Sequence, residues 1–338
     1  MKLIEKIGSA VINKRGEEGV IVAVDDYIKV NFGERTAKYA LDAFLQGILV
    51  FVDQENQKEV AVAIEQKRIQ DREREEQERI QKEKADLLRQ REKNPNDNMV
   101  FRSQICDGGT EDCSNWFKGP CSCSLRKYHI HDPHQTFCNR GSVCKRCSEG
   151  ALPESAIEEA YRGEGLCYES KILLDHVIKA GWDIDKVTGK MIAPRSWRLK
   201  DDHLAILMTV EPGKKQSEAI IYSVFLTSET TQADALNEGS TKAAPGCFID
   251  LTIQEARQMQ LWKYMPAVEG KDPTKWGSGL FRYVSDGVAA RILADIVEIV
   301  KKRNDPDQTA HAEAFLQKFL SSFGSDVDHI PPRNGAIK

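Results

Sequence analysis

From residue 54 to residue 93 the chain runs without a glycine or a proline, and Glu, Lys, Arg and Gln dominate the stretch. These residue types are strong helix formers, and pairs such as Glu75 with Arg79 and Glu78 with Lys82 have the favourable i,i+4 order. One helix is expected, and about forty residues at about 1.5 Å each would reach roughly 60 Å. Its apolar residues Val62, Ile69, Ile80 and Leu87 supply about one contact per heptad, where a coiled coil uses two. The run therefore reads as a solvated spacer, with a dimerising coiled coil as the alternative. So charged a segment cannot enter a globular core, and the chain is expected to fold as separate bodies before and after it. Pro95, in NPNDN, ends the helix and restricts Asn94.

The first 53 residues read as five short strands. In YIKVNF, Ile28, Val30 and Phe32 alternate with polar or exposed positions, the period of a strand with one buried face. Asp25-Asp26 and Gly33-Glu34 offer tight turns. The spacing of GSAVINKRGEEGVIVAVDDYIKVNFGERTAKYALDAFLQGILVFVD resembles the small SH3-like β-barrels found at the front of many bacterial nucleic-acid-related proteins. That resemblance implies a binding module for nucleic acid or protein, not an activity.

Seven of the nine cysteines, Cys106, Cys113, Cys121, Cys123, Cys138, Cys144 and Cys147, fall between residues 106 and 147, with His129, His131 and His134 among them. The N-terminus has no signal-like apolar run and no stretch approaches a membrane span, so a cytoplasmic, reducing setting is expected. Structural disulfides are then poor candidates. Zinc takes four thiolate or imidazole ligands, and Cys144-Lys-Arg-Cys147 is a Cys-x-x-Cys turn. The expectation is one or two structural Zn ions held within a module spanning 99–150. Large aliphatic side chains are few there, so metal binding would supply folding free energy. The His-x-Glu and Pro-Cys-x-x-Cys signature of a zinc deaminase is missing. A hydrolase reading of HIHDPH places His129 and His131 alternately on a strand, without a carboxylate cluster beside them.

Lys118, Arg126, Lys127, Arg140, Lys145 and Arg146 crowd the same module, interspersed with Trp116, Phe117, Tyr128 and Phe137. Cations mixed with aromatics suit phosphate contact and base stacking, although they also offset the negative charge of thiolates. The net charge of -4 gives the whole chain no basic footprint.

Beyond residue 150 the pattern is α+β. HLAILMTV (203–210) and AIIYSVFLT (219–227) form an expected central hairpin, CFIDL (247–251) a third strand, and Thr252 with Glu255 a capping box that opens a helix over IQEARQMQLWKY. Two further helices follow Ser285 and precede Gly324, and the rest reads as a tail. The segments FRSQICDGGTEDCSNWFKGPCS, GEGLCYESKILLDHVIKAGWD and WGSGLFRY together resemble a bacterial family in which a cysteine-rich zinc module precedes an α+β domain. The resemblance spans about 99–300 and implies architecture without an established activity.

Trp276 and Arg282 beside Gly277 and Gly279 could stack on a flat ligand such as a base, or simply close a core. Glu169-Ser-Lys171 supplies half of a metal-dependent nuclease pattern, with Asp250 the available second carboxylate, but in the wrong order and on what reads as a helix. Cys167 reads as a buried helix-face cysteine. The expected protein is thus multidomain α+β: an SH3-like β-barrel (1–53), a charged helical linker (54–98), a zinc module (99–150), an α+β domain (151–323) and a tail (324–338). Its expected function is zinc-dependent nucleic-acid binding, with DNA the favoured partner and a DNA-modification reader or defence-related factor as the analogy. The alternatives are a Mg-dependent nuclease using Glu169, Lys171 and Asp250, and a scaffold that binds protein through the barrel or helix. No membrane role is expected.

Overall fold

The computed structural model describes residues 3–337 except 94–95, 111, 132–135, 140, 164, 182, 186, 188–190, 193–196, 235–236, 267–271, 273 and 278. It is mixed α+β and divides into two compact units, Met1–Leu87 and Leu88–Lys338.

In the first unit, β1 (Ala10–Asn13), β2 (Glu18–Val24), β3 (Ile28–Asn31), β4 (Thr36–Tyr39) and β5 (Leu49–Phe51) form one antiparallel sheet in the order β4-β3-β2-β1-β5. Short polar side chains set the turns. Asn13 Oδ1 accepts from the amides of Arg15 and Glu17, Asp25 Oδ1 from Tyr27, and Asn31 Oδ1 from Gly33. Gly16 and Gly33 occupy the left-handed region that these turns require. The expected alternation holds, since Ile28 and Val30 are fully buried beside Val11, Ile21, Phe44 and Phe51. Phe44 stacks on Phe51 at 4.1 Å. Among the described residues β4 and β5 each pair with one neighbour, so the sheet is open.

Helix α1 (Gln54–Lys93) matches the glycine-free run. Val60 packs into the first unit's core, whereas Val62, Ile69 and Ile80 are exposed. Between Glu65 and Arg79 its ion pairs are exposed, such as Arg74 with Asp71 at 3.2 Å, each contributing a few tenths of a kcal/mol.

The second unit is built on a six-stranded sheet of β6 (Asn98–Arg102), β7 (Val177–Lys179), β10 (Leu204–Thr209), β11 (Ile220–Thr231), β12 (Ser240–Asp250) and β13 (Phe281–Val284), in the order β13-β6-β10-β11-β12-β7. A separate two-stranded ribbon pairs β8 (Asp183–Ile184) with β9 (Met191–Ile192). The hairpin β10/β11 and the strand in CFIDL are as expected from sequence. All six residues of β10 are buried, which explains its unbroken apolar run: both faces are covered. Helices α8 (Asp286–Lys301) and α9 (Pro306–Ser321) start at side-chain caps, Ser285 and Asp305.

Three sequence expectations change here. First, β6 pairs in parallel with β10 and antiparallel with β13, so the composition boundary at residue 150 falls inside one sheet and one hydrophobic cluster. Second, IQEARQMQLWKY is not one helix. α7 (Ile253–Ala256) makes a single turn, after which Met259 O accepts from Ile221 N at 2.9 Å and Leu261 N donates to Ala219 O at 2.9 Å. Pairing with the start of β11 outcompetes helix continuation. Third, the end of the chain is docked: Ala336 N donates to Met265 O, Ile337 N to Trp262 O, and Arg333 Nε to Asp295 Oδ2 at 2.6 Å.

The last turn of α1 is tied into the second unit by Arg91, whose side chain is buried. Its guanidinium donates to Asp286 Oδ1 at 2.7 and 3.0 Å and to Ser322 Oγ at 2.7 Å, while Asn98 Nδ2 donates to the same Asp286 oxygen at 2.8 Å. Removing one partner of such a pair leaves an uncompensated buried charge, at a cost of about 3–5 kcal/mol. Arg91→Met is expected to lower the stability of the second unit by about 3 kcal/mol in urea unfolding, and Arg91→Met combined with Asp286→Asn to lower it less.

A thiol-lined cavity as candidate metal centre

Residues 103–110 and 112–122 form an irregular loop held at several points. Trp116 Nε1 donates to Leu251 O at 3.1 Å, Phe117 stacks on Tyr222 at 4.1 Å, and Phe117 N donates to Cys106 O at 2.9 Å. Gly108 sits where a Cβ would overlap the Asn115 carbonyl, so the loop's tight fold requires glycine there. Trp116, Phe117, Ile105 and Leu125 are buried in the cluster of the main sheet. The cysteine-rich segment, expected to have too few large aliphatic side chains for a core, thus shares the core of the strands around it.

After the loop come α2 (Cys123–His131), α3 (Thr136–Asn139), α4 (Val143–Ser148) and α5 (Ser155–Arg162). Ser142 caps α4 by accepting from Lys145 N at 3.2 Å. His129 and His131 therefore lie on a helix, not a strand. Two positions apart on a helix, they diverge: His129 is buried, with Nε2 2.8 Å from Ile105 O, and His131 is exposed. His134 lies outside the described residues.

Between these helices, the loop and the 3-10 turn Tyr168–Lys171 lies a cavity of about 200 Å³, lined among others by Cys121, Cys138, Cys144, Cys167, Arg126 and Glu169. Cys106 stands behind Cys121, with the two Sγ atoms 3.2 Å apart, and its own Sγ contacts Gly119 O at 3.1 Å. Four of the seven expected metal ligands, Cys106, Cys121, Cys138 and Cys144, are thus gathered here. The other three are not. Cys113 lines a separate groove with Tyr128 and Arg257, Cys123 is exposed, and Cys147 points its thiol at Pro153 O, 3.3 Å away. The Cys-x-x-Cys pair of Cys144 and Cys147 is therefore split, with only its first member in the cavity. Cys167 was missed as a ligand because nothing but its residue type marks it; it caps the 3-10 turn and is brought in by the fold. Among the described residues, no three His, Cys, Asp or Glu side chains converge closely enough to hold one ion as placed.

Electrostatics differ from thiol to thiol. Cys138 and Cys144 share a hydrogen bond that raises the Cys138 pKa and lowers that of Cys144 to about 7, with the positive charge of Arg126 helping Cys144 further. Cys121 is pushed up by its contact with Cys106 and by burial, and Cys167 by burial. Burial also raises the Glu169 carboxyl.

The expected nucleic-acid contacts are dispersed. Lys127, Tyr128 (42% exposed) and Arg146 face solvent, and Lys145 is half-buried, 3.7 Å from Glu149. Arg126 is 5% exposed, donates to Cys121 O at 2.8 Å and pairs with Glu154, so it serves the cavity and not a surface. Trp276 is 1% exposed, with Nε1 donating to Gly279 O at 2.9 Å, and Arg282 lies over its ring at 4.9 Å while donating to Lys275 O. The core reading of Trp276 is the one realised. Arg140 lies outside the described residues.

The three nuclease candidates line three different cavities. Glu169 faces the thiols; Lys171 lies in a second, with its Nζ 5.0 Å from the Tyr161 ring; Asp250 lies in a third, beside Arg303. Asp250 is engaged by His176 Nε2 at 3.0 Å and Ser223 Oγ at 2.8 Å.

Two outcomes follow from these shifts. Cys144 should be the cavity thiol alkylated by iodoacetamide in metal-free protein, with a rate that rises through about pH 7; mass spectrometry of the labelled peptides at several pH values reads this. The Glu169 pKa is raised on folding, so the carboxyl imposes no charge cost at low pH and destabilises progressively as pH climbs above its unfolded value near 4.5. Glu169→Gln should remove that loss, making the metal-free protein at least as stable as wild type at pH 8 in urea unfolding.

Comparison of the chain with protein-family models, with curated proteins and with solved structures gives no match in any of the three.

Proposed function

We propose that the chain is a nucleic-acid-binding protein whose cysteine-rich segment carries a thiolate-held metal, for which the cysteine pattern nominates zinc. The observation that supports it is the gathering of Cys121, Cys138, Cys144 and Cys167 around one cavity, with exposed cations on the same helices that help to line it. Cys144 and Arg146 share α4, and Lys127 and Tyr128 belong to α2. A metal bound between these helices would fix the cations' positions, and a charged or aromatic group held in place loses less entropy on binding a phosphate backbone or a base. Because Trp116 and Phe117 anchor the loop independently, metal removal on this reading loosens 123–148 and leaves the sheet intact.

The finer reading of the first unit belongs here too. Its five strands would act as an SH3-like barrel offering a further contact for nucleic acid or protein, with α1 as spacer. A cytoplasmic DNA-binding role, in defence or in reading modified DNA, rests on analogy with other proteins that combine zinc modules with further binding domains. The nuclease reading is weaker, because Glu169, Lys171 and Asp250 line separate cavities.

Labelled duplex and single-stranded DNA and RNA, incubated with metal-loaded protein and Mg²⁺ at two salt concentrations, test the proposal by gel shift. An uncleaved, salt-sensitive shift is expected. Lys127→Glu with Arg146→Glu should weaken it by roughly tenfold or more and flatten the log-log salt slope by about 2 if both contact phosphate. Cleavage would revive the nuclease, and unshifted probes would leave a protein-binding scaffold.

A further inference from the structure

Going beyond the thiolate-metal reading, and standing without it, we infer that this cavity is a site of reversible thiol oxidation by a hydroperoxide, in which its cysteines close two disulfides, Cys106 with Cys121 and Cys138 with Cys144. The thiols meet two at a time. Cys121 Sγ donates to Cys106 Sγ at 3.2 Å, and Cys138 and Cys144 share a hydrogen bond. Two sulfurs on one tetrahedral zinc, with bonds of about 2.3 Å, stand roughly 3.8 Å apart. Cys106 and Cys121 are already closer than that, and an approach of about 1 Å brings them to the length of a disulfide bond. Among the described residues, no third donor joins either pair to make a group that could hold an ion.

The surroundings of the two pairs agree with this use. Each joins a half-buried thiol, Cys121 or Cys138, to a buried one, Cys106 or Cys144. Cys121, Cys138 and Cys144 line the cavity, and Cys106 stands behind Cys121. The cavity's 200 Å³ is the room of several waters at about 30 Å³ each, enough for a peroxide. A sulfur that an oxidant reaches, with a second sulfur beside it, is the arrangement of a reacting thiol and its resolving partner. Trp116 and Phe117 fix the loop against the main sheet and so hold Cys106 and Cys121 at this separation. Cys167, whose thiol bonds to Glu169, stays reduced.

In each pair one thiolate attacks a peroxide oxygen and breaks the O–O bond, and the other oxygen leaves and is protonated to water. The partner sulfur then attacks the sulfenic sulfur: the S–S bond forms, and the second oxygen departs as water with the partner's proton. Two thiols and one hydrogen peroxide thus give one disulfide and two waters, and an added dithiol reverses the change. A sulfur held in a disulfide is no thiolate ligand, so the oxidised chain and a chain with metal on Cys121, Cys138 and Cys144 are exclusive states.

Full-length protein, both as purified in reductant and after chelator treatment, is exposed to hydrogen peroxide, blocked with N-ethylmaleimide and digested for mass spectrometry, with metal content measured in parallel. Expected in the chelator-treated sample are the loss of four of the nine thiols, peptides linked as Cys106 with Cys121 and Cys138 with Cys144, and full recovery in dithiothreitol. Cys121→Ser should lose two thiols instead of four, keep the link of Cys138 with Cys144, and retain the far-ultraviolet circular dichroism of wild type. Links from these cysteines to Cys123, Cys147 or Cys167 would overturn the pairing, and formation of one pair alone would overturn the other. Metal retained as purified, with no links in either sample, would overturn the oxidation site and leave the thiolate-metal reading standing. Both links with no metal retained would support the oxidation site and overturn the metal.

Discussion

The parallel pairing of β6 with β10 is the contact on which the second unit depends. It threads residues 98–102 into the sheet between β10 and the edge strand β13, so that the segment carrying the cysteines begins inside the main core. A parallel pair cannot be closed by a tight turn and needs a long crossover. Here the crossover is everything from the cysteine-rich loop to Lys200, and α2, α3, α4, α5 and the 3-10 turn all lie on it. Four cysteines scattered over about fifty residues can therefore face one cavity. Met99, Val100 and Phe101 are fully buried at the root of this arrangement, and Asn98 joins Arg91 and Asp286 in the polar cluster at its edge.

Local patterns made the local elements legible. The glycine-free run forecast α1, the alternation in YIKVNF forecast β3, the capping box at Thr252 forecast where α7 begins, and a helix was expected after Ser285. What failed was whatever depended on distant partners. The helix over IQEARQMQLWKY has good periodicity, yet backbone bonds to β11 end it after one turn. The end of the chain carries no apolar period, yet three contacts dock it, and Gly335 leaves no room for a side chain against Trp262 and Lys263. His129 and His131 fit a strand by alternation alone; the packing of α2, which buries Leu125, Arg126 and His129, decides otherwise.

For the site, the sequence marked the right neighbourhood and the wrong membership. Clustering of cysteines is visible without a structure, because residue type is all it needs. Membership depends on side-chain direction, which Cys-x-x-Cys spacing suggests only when both residues sit on one turn that faces the metal. In α4 that condition fails for Cys147, whose thiol meets a backbone carbonyl. Arg126 shows the same limit from the other side: it reads as a surface cation by composition and is spent on Glu154 and Cys121. The cavity also has its own electrostatic logic. A thiolate is easiest to form at Cys144, beside Arg126, while the neighbours' pKa values are held up by burial and by sharing protons, so loading a metal must release those protons and should be favoured by rising pH.

The central claim is that the cavity's thiolates hold a metal. X-ray absorption at the metal edge of the purified, anaerobically handled protein tests it most directly, because it counts the neighbours of whatever metal is bound. The account predicts a first shell made entirely of sulfur at about 2.3 Å. A shell of oxygen and nitrogen would place the metal elsewhere on the chain and contradict it.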